Sequence, residues 1–113
     1  MNFGKLLTCA VDDLKAWLTY KEADAGEPAV EFLVACATAE DQAEFMGRFA
    51  KVKPNDEQWR DFWLGHVHGW RGVRVGSDVL PFEASLLKVL WARDPKFRVW
   101  LINECQEVDR FLA

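Results

Sequence analysis

The spacing of apolar positions divides the 113 residues into segments of different period. Over residues 1 to 21, Phe3, Leu6, Leu7, Ala10, Val11, Leu14, Trp17 and Leu18 follow the i, i+3, i+4, i+7 rhythm of an amphipathic helix. The end of the same segment also alternates, with Leu14, Ala16, Leu18 and Tyr20 on one side, as in a half-buried strand. The run AVEFLVAC, residues 29 to 36, is rich in strand formers and sets Val30, Phe32 and Val34 on one face. A lone strand leaves its backbone donors and acceptors unpaired. The nearest partner is 15 to 21, across the turn-rich EADAGEP. The pattern predicts a short helix near 3 to 10 and a hairpin of 15–21 with 29–36.

Beyond residue 37 the period is helical. Thr38 caps a predicted helix over 39 to 51, with Glu40 and Asp41 near its positive end and Phe45, Met46, Phe49 and Ala50 on its apolar face. Pro54 interrupts, and Asn55 with Gln58 forms a capping box for the next helix. Trp59, Phe62, Trp63, His66, Val67 and Trp70 make one stripe at helical spacing, so this helix is expected to run through Arg71 and stop at a left-handed Gly72. Gly69, Gly76 and Pro81 are the other expected turn positions, with a tight reversal at Gly76-Ser77-Asp78. Pro81 and Phe82 open a helix over 82 to 93 whose inner face is Phe82, Leu86, Leu87 and Leu90. Asp94-Pro95, an N-cap followed by proline at the first helical position, starts a last helix over about 95 to 111. Phe97, Leu101, Cys105, Val108 and Leu112 line one side of it. The expected fold is one α+β domain over 1–113, mainly α-helical. A short helix and β-hairpin (1–37) pack against about four helices (38–113).

Composition narrows the function classes. Half the residues are apolar and 28% are charged, as in a globular chain. Net charge is −4 and the basic residues are scattered, which argues against nucleic acid as a partner. No apolar run reaches membrane-spanning length, and the N-terminus lacks the basic-then-apolar pattern of a secretory leader, so a cytoplasmic protein with no membrane partner is expected. Cys9, Cys36 and Cys105 are odd in number and widely spaced, and read as small buried hydrophobes.

Candidate chemistry is sparse. His66 and His68 are two positions apart, so on a helix they face opposite sides and cannot share a metal, whereas on a strand they could, but no third ligand stands near to complete a zinc site. Ser77 and Ser85 lack a nucleophile-elbow context, and no cysteine has the exposed, histidine-paired setting of a catalytic thiol. The glycines of GWRGVRVGSDVLPF, residues 69 to 82, match neither a dinucleotide fingerprint nor a Walker loop. No catalytic residue, metal or cofactor is therefore expected. Six tryptophans and eight phenylalanines are many for one small core. Trp91 lies off its helix's main stripe, and Trp100 widens the face of the last helix beside Arg93 and Arg98, the residue mix of an interaction hot spot.

The run WRDFWLGHVHGWRGV through GSDVLPFEASLLKVLWARDPKFRVWLINE resembles the small tail assembly chaperones of long-tailed bacteriophages and prophages. The likeness lies in Gly-Trp-x-Gly-Val at 69 to 73, a short polar turn, an apolar-Pro-Phe step into a Leu-Leu helix, an Asp-Pro break and a terminal helix. It extends over about two-thirds of the chain. The family commonly places Ser or Thr after the Pro-Phe as a helix cap, where Glu83 stands here.

The resemblance implies a non-catalytic protein of the host bacterial cytoplasm, absent from the mature virion. It would form homo-oligomers and coat the tape-measure protein while the tail tube protein polymerises around it. Trp63, Trp70, Phe82, Trp91 and Trp100 are then the expected protein-binding residues. The loop from 69 to 82 would set the angle between the tryptophan helix and the Pro-Phe helix. The alternative is a small dimeric cytosolic adaptor of phage or bacterial origin with no chaperone role.

Overall fold

Backbone pairing demands that the alternating segments find each other, and they do. β1 (Lys15–Lys21) and β2 (Val30–Ala35) form an antiparallel hairpin, with Trp17 opposite Leu33 and Leu18 opposite Phe32. The computed structural model describes residues 2–49 and 51–112. Among them are five α-helices, a three-stranded antiparallel sheet and a two-stranded ribbon, an α+β architecture as the pattern predicts. α1 (Phe3–Thr8) precedes the hairpin. It is tied to the end of the chain by Lys5 Nζ donating to Phe111 O at 3.0 Å.

The sheet holds one strand that the pattern did not predict. α3 (Asp56–Leu64) stops at Leu64, and the chain turns at Gly65 into β3 (Val67–Arg71), which pairs with the second edge of β2. The expected helix through Arg71 is therefore corrected. Val67 and Trp70 are three residues apart, a spacing that a regular strand would send to opposite faces. A bulge resolves this: Val34 pairs with Val67 but Leu33 pairs with Gly69, so His68 is the extra residue. Both Val67 and Trp70 then reach the face that carries Val34 and Phe32. The bulge reproduces in a strand the spacing of a helix stripe. Burial of β2's free edge favours the strand, because the strand satisfies backbone groups that an extended α3 would leave unpaired.

Two glycines change roles accordingly. Gly69 lies within β3 and not in a turn, where a Cβ would sit 3.7 Å from both Leu33 Cβ and the Trp17 ring. Gly72 does have a left-handed backbone, at φ +79°, but it ends a strand instead of capping a helix. The reversal at Gly76-Ser77-Asp78 forms as expected: β4 (Arg74–Val75) and β5 (Asp78–Val79) make the ribbon, with Gly76 at φ +62°. Pro81 follows the ribbon in the extended step to Phe82.

The helices follow their caps. α2 (Ala39–Gly47) starts from a complete Thr38/Asp41 capping box and ends four residues before the predicted boundary at 51. Ala50, expected on its apolar face, lies outside the described residues. α3 starts from the Asn55/Gln58 box. α4 (Ala84–Arg93) begins two residues later than predicted, after an extended Glu83 whose side chain makes no cap bond. α5 (Pro95–Gln106) starts at Asp94, whose carboxylate accepts from the Lys96 and Phe97 amides. It gives way to a 3₁₀ turn at Val108–Phe111, so the last helix is shorter than expected.

The shortest dimension of the chain is 20 Å, the thickness of two packed layers of about 10 Å each. One layer is the sheet, and its inner face meets Phe97, Leu101 and Cys105 of α5 and Leu87 of α4, all buried in one core. A second aromatic cluster joins α2 to α3, where Phe45 lies 4.7 Å from the rings of both Trp59 and Phe62.

A Cβ on Gly72 would stand 1.8 Å from Ala29 O, inside any tolerable contact, whereas one on Gly76 meets nothing within 4 Å. Gly72→Ala is expected to cost at least about 3 kcal/mol and Gly76→Ala about 1 kcal/mol, since only the first adds a backbone collision to the left-handed strain. Urea midpoints of the two variants check this, and equal losses would contradict the close approach.

Candidate functional site

Three segments that follow one another only loosely in sequence enclose an open groove of about 740 Å³. Its floor is the end of the sheet's inner face, from Tyr20 of β1, Val30 and Phe32 of β2 and Trp70 of β3. One wall is the β1–β2 loop, with Glu22, Asp24, Ala25, Glu27 and Pro28. The other is α4, with Leu86, Val89, Leu90 and Arg93, joined by Val73, Arg74 and Leu80 at the foot of the ribbon.

The floor is held by contacts that leave it little freedom. Trp70 Nε1 donates to Leu80 O at 2.8 Å, and its ring meets Phe82 edge-on at 5.0 Å. This pins the step from β3 to α4, so the segment 69–82 joins a strand to a helix and not the two helices expected of it. Phe32 touches Tyr20, Trp70, Phe97 and Trp100. Tyr20 closes the groove at one end: its hydroxyl donates to Asp94 Oδ2 at 2.6 Å, while Asp94 also caps α5. Burial, then the bond to Asp94, pushes the Tyr20 hydroxyl up to about 12. The same bond is the main reason that the Asp94 carboxyl is held below its ordinary range, with help from the Phe97 and Lys96 amides and the charge of Lys21.

α4 supplies a wall because it is apolar on more than one face. Leu87 is sealed in the core, whereas Leu86 and Leu90 are half-buried and Val89 is 40% exposed, all three on the groove. Seven of its ten residues, ASLLKVLWAR, are apolar, more than one packing interface uses. That surplus was the signal available in the sequence, but Leu86 and Leu90 read there as core.

The five predicted docking residues do not share one surface. Trp70 and Phe82 are in contact and Trp70 lines the groove. Trp100 stands behind the floor against Phe32 and Tyr20. Trp63 is only 7% exposed and stacks on Trp59 in the α2–α3 cluster, so it offers no outer surface in this fold. Trp91 is half-buried under Arg98, whose guanidinium lies 5.8 Å from its ring centre and whose Nε donates to Trp91 O. Tyr20, Val30, Phe32, Val73 and Val89 were not predicted as site residues; only tertiary packing brings them to one place.

His66, Cys36 and Cys105 lie outside the groove. His66 Nδ1 is 2.8 Å from Phe62 O, an acceptor only, so Nδ1 carries the proton, and Nε2 faces Asp41 at 3.7 Å. Burial pushes the Cys36 thiol up and the Cys105 thiol up to about 12. Among the described residues no group of three or more His, Cys, Asp or Glu side chains is placed to hold a metal ion, and no helix is long and apolar enough to cross a membrane.

The chain is thus an α+β domain with an apolar groove between a β-hairpin and a helix. It matches no known family, no curated protein and no solved structure.

The Tyr20–Asp94 bond makes a testable contribution to acid stability. A carboxylate with a lowered folded value contributes fully above the ordinary aspartate range, about pH 4, and the contribution is lost as pH falls through that lowered value. Tyr20→Phe removes the largest cause of the lowering. The decline of urea midpoint from about pH 4 to pH 2 is expected to be shallower in the variant than in the wild type; equal slopes would show that the bond does not set Asp94.

Proposed function

We propose that this protein is a non-catalytic tail assembly chaperone that binds apolar helical stripes of a tape-measure protein and keeps them covered until the tail tube protein assembles around them. The observation that carries this reading is the open apolar groove between the hairpin and α4, flanked by Val89 and floored by Trp70 and Val30. It joins the resemblance carried by GWRGV, LPF and the Leu-Leu helix. An open, shallow apolar groove suits the helix-in-groove mode of recognition. A temporary cover must also leave, so many weak contacts along a repeating partner serve better than one tight site. A net charge of −4 helps keep such a surface in solution. In this reading the protein acts in the host cytoplasm, as a homo-oligomer, and is absent from the finished virion.

Co-expression with the tape-measure protein of the same genome tests the proposal. The long helical protein is expected to be insoluble alone and to be recovered as a soluble complex when the chain is present. Val89→Gln, a change at an exposed groove position, is expected to weaken that complex about tenfold, or about 1.4 kcal/mol. A tape-measure protein that stays insoluble beside a well-defined dimer of this chain would instead favour the adaptor reading.

A further inference from the structure

The two walls of the groove carry charges of opposite sign that have no ion-pair partner among the described residues. We infer that the groove takes an amphipathic helix of another protein whose two flanks are oppositely charged, the basic flank over the hairpin loop and the acidic flank over α4 and the ribbon. This rests on the groove being the helix-docking site proposed above.

On the hairpin side stand Glu22, Asp24 and Glu27, all exposed. On the other side stand Arg74 of β4 and Arg93 in the last turn of α4. None of these five takes part in an ion pair among the described residues. Elsewhere the chain does pair such neighbours, as in Arg48–Glu44, Arg71–Glu31 and Arg110–Glu104. Lys21 and Asp94 also line the groove but answer each other, since Lys21 helps to hold Asp94 ionised while Tyr20 and the α5 amides bind it. The groove therefore keeps acid and base apart across its width.

Backbone chemistry selects a helix over a strand. The floor is a sheet face, and both edges of β2 are already paired, to β1 and to β3. A segment lying on that face finds no strand edge there and must satisfy its own backbone groups, as a helix does. A helix about 10 Å across and sunk to half its diameter fills 740 Å³ over roughly 19 Å, about three and a half turns. Its apolar stripe would meet Trp70, Leu86, Val89 and Leu90, leaving one flank toward each wall. Turning such a helix end for end exchanges its flanks, so the wall charges also choose its chain direction.

Two labelled helical peptides of about 14 residues, identical in composition and each with a leucine stripe, test this by fluorescence anisotropy. One segregates Lys on one flank and Glu on the other; its partner mixes them over both. The segregated peptide is expected to bind about 5- to 10-fold more tightly at low salt, a preference that fades as salt is raised. The preference should vanish in the variant Glu22→Lys/Asp24→Lys/Glu27→Lys and in Arg74→Glu/Arg93→Glu. It should return when both sets are combined, because the helix can then lie reversed. Circular dichroism of each variant establishes that these exposed changes leave the fold intact.

Equal affinities for the two peptides, both weakened by Val89→Gln, would overturn the inference and leave the groove as a helix site. Failure of the wild type to bind either peptide, with the co-expressed tape-measure complex intact, would overturn the inference and the groove as docking place, and the proposed function would then rest on that complex and the sequence resemblance alone. Self-association of the chain that is lost in the same charge variants would overturn the assignment to another protein and make the occupant a second copy.

Discussion

Phe32 holds the architecture together. It sits on the central strand, 2% exposed, and its ring meets Tyr20 of one neighbouring strand, Trp70 of the other, and Phe97 and Trp100 of α5. Each edge strand is thereby fastened to the same helix through one side chain. Aromatic pairs of this kind add about 0.5–1.5 kcal/mol each beyond simple burial. Four contacts on one ring therefore make this the position where sheet curvature, helix placement and groove floor are decided together.

The bulge at His68 serves the same node. Without the extra residue Trp70 would point to the outer face, away from Phe32 and from Leu80 O, its hydrogen-bond acceptor. Its indole would then fix neither the ribbon nor Phe82. With the bulge, a single side chain joins β3 to the step that delivers α4. The distance between α4 and the hairpin, which is the width of the groove, follows from that anchor. Tyr20 and Asp94 fix the far end in a comparable way, because the carboxylate that caps α5 is also the acceptor for a hydroxyl on β1.

The groove arises from an imbalance in α4. Its core contacts use Leu87 and part of Leu90 and Trp91, while Leu86 and Val89 turn toward open space. A small two-layer domain has too little sheet to cover every apolar face of such a helix. Exposed charged side chains on the hairpin loop, Glu22, Asp24 and Glu27, border the opening. The result is an apolar surface bordered by acidic side chains on the hairpin side and by basic ones on the side of α4 and the ribbon.

Local chemistry was legible wherever it was self-contained. The Thr38 and Asn55 capping boxes, the Asp94-Pro95 start and the Gly76 reversal depend on residues within a few positions of each other, the hairpin of 15–21 with 29–36 on two segments adjacent in the chain, and each forms as the pattern predicts. By itself the sequence determined an α+β chain, its hairpin, most of its helix starts and a surplus of aromatic side chains. Only the tertiary structure decided that Val67–Arg71 is a strand, that Gly72 is required by Ala29 O rather than by a helix end, and that Trp63 is sealed while Val89 is not. The reason is that these outcomes hang on a distant partner. β2 offers an unpaired edge some 30 residues upstream of β3, and satisfying it outweighs the helical rhythm of Trp59 to Trp70.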